Sequence, residues 1–167
     1  MIYAFDSYYR DGYCQTAAAT FNNWSDVNAA NVLISLSTTK SEYIPGQFYK
    51  RELPGILALL ENLPPTENDL IIVDGYVHLD DEGKYGLGGH LYEALDRKVP
   101  VIGVAKKKFK TVNTLLREVL RGQSTKPLFI TAVGVDVDRA GQWIKNMAGP
   151  YRIPTLLKVV DEASRRE

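Results

Sequence analysis

Leu70-Ile71-Ile72-Val73-Asp74-Gly75 is a short, continuously apolar run that stops at an acid and a glycine. Nothing in it alternates, so both of its faces must be buried, as in an interior strand of a covered sheet. Val101-Ile102-Gly103-Val104-Ala105 repeats the pattern and runs into Lys106. Between the two runs, Leu87, Leu91, Ala94 and Leu95 recur at helical spacing. Strand, helix and strand, with both strands wholly apolar, call for parallel pairing and a right-handed crossover.

Upstream of this unit, Met1 to Phe5, Cys14 to Phe21 and Asn31 to Ser37 read as strands, with turn chemistry at Asp11-Gly12 and Asn22-Asn23. Short connections make them an antiparallel meander. Leu53, Ile56, Leu57 and Leu60 then mark a helix face, and Pro54 places Glu52 near that helix's entrance. Downstream, Val112, Leu115, Leu116, Val119 and Leu120 predict a third helix stopped by Gly122, and Leu128 to Val133 a strand. Helices follow around Ala140 to Met147 and from Pro154 to Arg165. The order β-β-β-α-β-α-β-α-β-α-α predicts a mixed α/β sheet, antiparallel in its first three strands and parallel afterwards, flanked by helices as in ribonuclease H-like folds. The expected organisation is one domain over residues 1–167.

Twenty basic residues balance twenty acidic ones in the 167-residue chain, so a histone-like mass binder of nucleic acid is not expected. The single Cys14 excludes an internal disulfide framework and reads as core. No apolar run approaches a membrane span, and Asp6 interrupts the N-terminal run where a signal peptide needs apolar residues. A soluble, cytoplasmic setting is expected. The neutral total hides an asymmetry, because Arg97 to Lys126 holds nine basic residues against one acid, Glu118. A basic flank beside separated carboxylates suits a metal-dependent enzyme acting on a polyanion.

Three acids stand at telling places: Asp6 after the first strand, Glu52 at the first helix, and Asp74 at the end of the strand from Leu70. Sites in open α/β sheets form at the carboxyl ends of parallel strands. Three carboxylates gathered there repel one another without a cation and form a hard oxygen ligand set with Mg²⁺ or Mn²⁺. Taken singly, each also fits a turn or a helix N-terminus. Lys106 projects from the same edge, where it would neutralise a phosphate oxygen; Lys107, Lys108 and Lys110 fit a solvated surface run as well.

Tyr43-Ile44-Pro45-Gly46, Arg51-Glu52, Val73-Asp74-Gly75, Gly86-Leu87-Gly88-Gly89-His90-Leu91 and Ile102-Gly103-Val104-Ala105-Lys106-Lys107 resemble, in order and spacing, the motif series of the endonuclease V family. Tyr151-Arg152-Ile153-Pro154 is similar to the segment before that family's last helix. The resemblance implies a ribonuclease H-like fold and Mg²⁺-dependent cleavage of DNA or RNA on the 3′ side of inosine, at the second phosphodiester bond in deoxyinosine-containing DNA. It implies Asp6, Glu52 and Asp74 as the metal carboxylates and Lys106 as the catalytic lysine. Tyr43, Ile44 and Pro45 become a wedge beside the displaced base, Gly46, Gly75 and Gly86 line its path, and Lys107 joins the nucleic-acid-binding surface.

The chain departs from the family at Asp74-Gly75-Tyr76-Val77, where His78 is displaced and an acidic Asp80-Asp81-Glu82 tip follows. Much of the family's extra length is expected between the Lys106 strand and Leu128. The family's late Gly-His motif is here Gly134-Val135-Asp136. Asp136 is therefore expected either to replace that histidine as a metal-site residue or to cap the helix after it. His90 is expected to be a buried, hydrogen-bonded core residue. Two other functions remain open: a ribonuclease H-like nuclease with a different substrate, and a non-catalytic nucleic-acid-binding relative.

Overall fold

The structure, a computed structural model, describes residues 1–38 and 49–167. Among them, seven strands form one sheet. These are β1 (Ile2–Arg10), β2 (Tyr13–Phe21), β3 (Asn31–Thr38), β4 (Leu70–Asp74), β5 (Val101–Ala105), β6 (Arg117–Val119) and β7 (Leu128–Val133). Their order across the sheet is β3-β2-β1-β4-β5-β7-β6. β1 pairs antiparallel with β2 and parallel with β4, and β4 pairs parallel with β5. The apolar runs that predicted a parallel βαβ unit form one.

Helices α1 (Tyr49–Asn62) and α2 (Leu87–Ala94) cover one face, while α3 (Val137–Lys145) and α4 (Thr155–Arg165) cover the other. Alternation along β1 sorts its side chains between the two layers. Tyr3 and Phe5 pack under α1 with Ile56, Leu59 and Leu60, whereas Ile2 and Ala4 pack under α4 with Leu156 and Val160. α1 sits very close to β2, because a side chain at Gly55 would run into the Thr16 hydroxyl. That approach lowers the first turn of α1, which carries Glu52, onto the sheet edge.

The second half differs from expectation in two places. β7 runs antiparallel to β5, with Val101 opposite Val133 and Ala105 opposite Phe129. The segment predicted as a third helix is irregular except for β6, which pairs with β7 at the sheet margin. Thr111, Val112, Asn113 and Thr114 are weak helix formers. Val112 and Leu116 instead bury themselves against Ala105 and Phe129. Without a helix in the connection, the chain has no crossover to return it parallel.

Arg121 organises the far end of this region. Only 4% exposed, its guanidinium donates to the carbonyls of Lys145, Met147, Gly149, Tyr151 and Arg152. It thereby holds the turn that delivers α4 to the sheet.

Candidate active site

Asp6 lies on β1 but does not end it, since the strand continues to Arg10 in a hairpin with β2. The parallel pairing with β4 stops at Phe5–Val73, so Asp6 stands just past the point where the two strands part. By the alternation that buries Ile2 and Ala4 beneath α4, Asp6 faces the same layer. It is 8% exposed and accepts the Ser7 amide at 2.8 Å. Asp74 closes β4 one step along the same edge and is exposed. Glu52 approaches from α1, and Asp6, Ser7, Glu52 and Asp74 line one small void at the carboxyl end of the central strands.

The sheet edge brings a fourth acid to this group. Asp161 of α4 lies beside Asp6, near enough to raise its pKa, and Arg165 holds Asp161 at 3.1 Å. Helical spacing identifies Leu156, Val160 and Ala163 as the sheet-facing side of α4, and Asp161 is the half-buried neighbour of Val160. Periodicity therefore contained a signal for its position, but only the register of α4 on the sheet sets it against Asp6.

Clustering leaves a mark on the acids. Burial, Asp74 and Asp161 together push the Asp6 carboxyl up to about 9, against the opposing bond from Ser7. Burial pushes Glu52 up to about 7, and Asp74 adds to the rise. The Tyr9 hydroxyl and the Arg51 guanidinium oppose it, and Arg51 stacks on the Tyr9 ring at 4.1 Å. Such a group is short of positive charge and rich in hard oxygen donors, which suits a small divalent cation. Among the described residues, no group of three or more His, Cys, Asp or Glu side chains stands in place to hold a metal ion.

Lys106 follows β5 directly and joins Asp6, Asp74 and Pro154 around a second small void. Arg152 donates to the Lys106 carbonyl at 2.6 Å and to the Pro127 carbonyl at 2.8 Å, which ties the lysine's backbone to the turn before α4. Next to the acids opens a cleft of about 310 Å³. Glu52, Asp74, Gly75 and Tyr76 line it, with buried Gly86 at its floor and exposed Lys107, Lys108 and Phe109 at its rim. The floor is tightly folded: a side chain at Gly103 would come within 2.6 Å of the Gly75 carbonyl. Tyr43, Ile44, Pro45 and Gly46 lie outside the described residues.

Asp136 does not join the site. β7 runs antiparallel to β5, so Val133 and the turn after it emerge beside Val101, at the opposite edge from Asp74. There Asp136 is the N-cap of α3 and accepts the Arg139 amide at 3.1 Å. The parallel strand order expected from the sequence had placed it at the wrong end. Cys14 is buried as expected. His90 is half-buried and stacks on Tyr49 with ring centroids 3.6 Å apart, rather than lying in the core. No helix among the described residues is long and apolar enough to cross a membrane.

A β3-β2-β1-β4-β5 core with acids at the carboxyl edge of its central strands is the architecture of a ribonuclease H-like protein. Residues 1–119 match the endonuclease V family profile, and the chain belongs to that family. An endonuclease V from Streptomyces avermitilis is 34% identical over 144 residues, which are 74% of this chain and 61% of that protein. This chain thus matches about three fifths of the relative's length. The crystal structure of the Streptomyces avermitilis endonuclease V aligns with a TM-score of 0.74 at 28% identity, over 99% of this chain and 79% of that one. Ciona intestinalis endonuclease V, solved with a DNA containing an inosine followed by a ribo-adenosine, aligns with a TM-score of 0.79. At 18% identity over 98% of this chain and 84% of that one, the second likeness concerns the fold.

Proposed function

We propose that this protein is a divalent-cation-dependent endonuclease that cleaves a phosphodiester bond on the 3′ side of inosine in nucleic acid. The observation that carries the proposal is the meeting of Asp6, Glu52 and Asp74 with Lys106 at one sheet edge, beside a cleft with a basic rim. Family membership and the inosine-containing DNA bound by the Ciona protein support the choice of substrate.

Asp6, Asp74, Glu52 and Asp161 are the residues that would hold Mg²⁺ or Mn²⁺. When bound, a divalent cation supplies Lewis-acid polarisation of the phosphodiester and a water more readily ionised at neutral pH. The protein's own part is placement. Lys106 sets an ammonium where negative charge builds on the phosphate oxygens. Lys107 and Lys108 receive flanking phosphates at the rim. The cleft over Gly75 and Gly86 receives an extruded base, and Tyr43-Ile44-Pro45 fills the gap it leaves.

Asp6→Asn and Asp74→Asn test the assignment, because both keep side-chain volume while removing charge. Each is expected to fold, to lose Mn²⁺ affinity by calorimetry, and to lose turnover by about 100-fold or more. Full metal affinity and turnover in either variant would remove that residue from the site.

A further inference from the structure

The acidic tip Asp80-Asp81-Glu82 lies against the basic segment. We propose that Asp81 is a clamp that fixes the basic rim of the cleft over its floor and so sets how tightly nucleic acid is held. The proposal rests on the nucleic-acid reading of that cleft. Two loops frame it: residues 75–86, which give Gly75, Tyr76, Leu79 and Gly86, and residues 106–116, which give Lys107, Lys108 and Phe109. One Asp81 carboxylate oxygen accepts three consecutive backbone amides of the second loop, Asn113 at 2.8 Å, Thr114 at 2.7 Å and Leu115 at 3.3 Å. Three converging amides make a complementary seat for an anion. Asp80 shapes the tip by accepting the Glu82 amide at 3.0 Å and the Lys84 amide at 2.9 Å.

The other ties run between the same two loops. The Tyr76 hydroxyl donates to the Lys107 carbonyl and accepts the Phe109 amide at 2.9 Å, and Thr111 donates to the Leu79 carbonyl. Inside the second loop, Lys108 donates to the Asn113 side chain at 2.8 Å, linking the rim to the clamped turn. Lys106 through Thr111 are all exposed, so little apolar burial fixes this stretch, and polar ties must do so. Asp81 lies outside the cleft lining, which makes it a positioning residue rather than a contact.

Binding of a fluorescent inosine-containing oligonucleotide, measured by anisotropy in EDTA, separates the clamp from a simple surface charge. Removing an acid beside a basic loop strengthens attraction for a polyanion if charge alone matters. The clamp requires the reverse: Asp81→Ala binds roughly tenfold more weakly. Asp81→Asn, which carries the same net charge as Asp81→Ala but keeps an oxygen acceptor, recovers most of the loss. Amide exchange at residues 107–109 and 113–115 quickens in Asp81→Ala. Equal or tighter binding by Asp81→Ala, or no recovery in Asp81→Asn, overturns the proposal. If the wild-type protein does not bind the oligonucleotide, the nucleic-acid reading fails instead. Exchange then judges the clamp alone, and unchanged rates at 107–109 end it.

Discussion

Asp6 is costly to fold as a carboxylate. In the unfolded chain it loses its proton at about pH 4, whereas in the folded, metal-free protein burial, Asp74 and Asp161 hold that proton up to about 9. The stabilising contribution of the protonated form is complete below the unfolded value and is lost as pH rises through the folded one. Glu52, raised to about 7, acts in the same direction. The metal-free protein is therefore expected to melt at progressively lower temperature between about pH 6.5 and 9, a window above the range where the lowered His78 and His90 matter. Asp6→Asn flattens that decline and melts higher than wild type near the alkaline end. A melting temperature that rises with pH in EDTA would contradict the clustered-acid description. Asp161→Asn carries the fourth acid's role: Mn²⁺ affinity falls by about 10-fold or more, while the fold is retained. Undiminished affinity would leave Asp161 a partner of Arg165 alone.

At the scale of elements, local pattern and long-range register divide what the sequence made legible. Leu70–Val73 and Val101–Ala105 were readable as strands because burial on both faces removes alternation, and α4 was readable from Pro154 at its first turn. Asp6, Glu52 and Asp74 followed from the expected carboxyl edge and the resemblance. Asp161 did not, because which α4 residue reaches β1 depends on a packing register between elements far apart in the chain. The same limit misplaced Asp136. Its strand was recognised, but a strand's direction is set by its connection, and 112–120 satisfied a helical pattern although only Arg117–Val119 is regular, as the edge strand β6 paired with β7. As the N-cap of α3, Asp136→Ala is expected to cost about 1 kcal/mol, read as a lower urea midpoint. Asp136→Asn should leave stability, metal affinity and turnover near wild type. A large loss of metal affinity in Asp136→Asn would return that residue to the site.

Over the whole molecule, a neutral chain is divided into an acidic sheet edge and a basic loop that meet across one cleft. On the proposed reading, the acids hold a divalent cation and the loop receives phosphates. Affinity for a nucleic-acid strand should therefore fall steeply with salt, and Lys107→Ala should lower the slope of log affinity against log salt by about one. An unchanged slope would place Lys107 off the strand's path. The central claim is most directly tested by cleavage of end-labelled DNA and RNA strands carrying one inosine, beside inosine-free controls, in Mg²⁺ and in EDTA. The predicted result is a discrete product cut on the 3′ side of inosine, formed in Mg²⁺, absent in EDTA and absent from the controls. Cleavage that persists in EDTA, or no cleavage of any strand by folded protein loaded with Mg²⁺ or Mn²⁺, would contradict it.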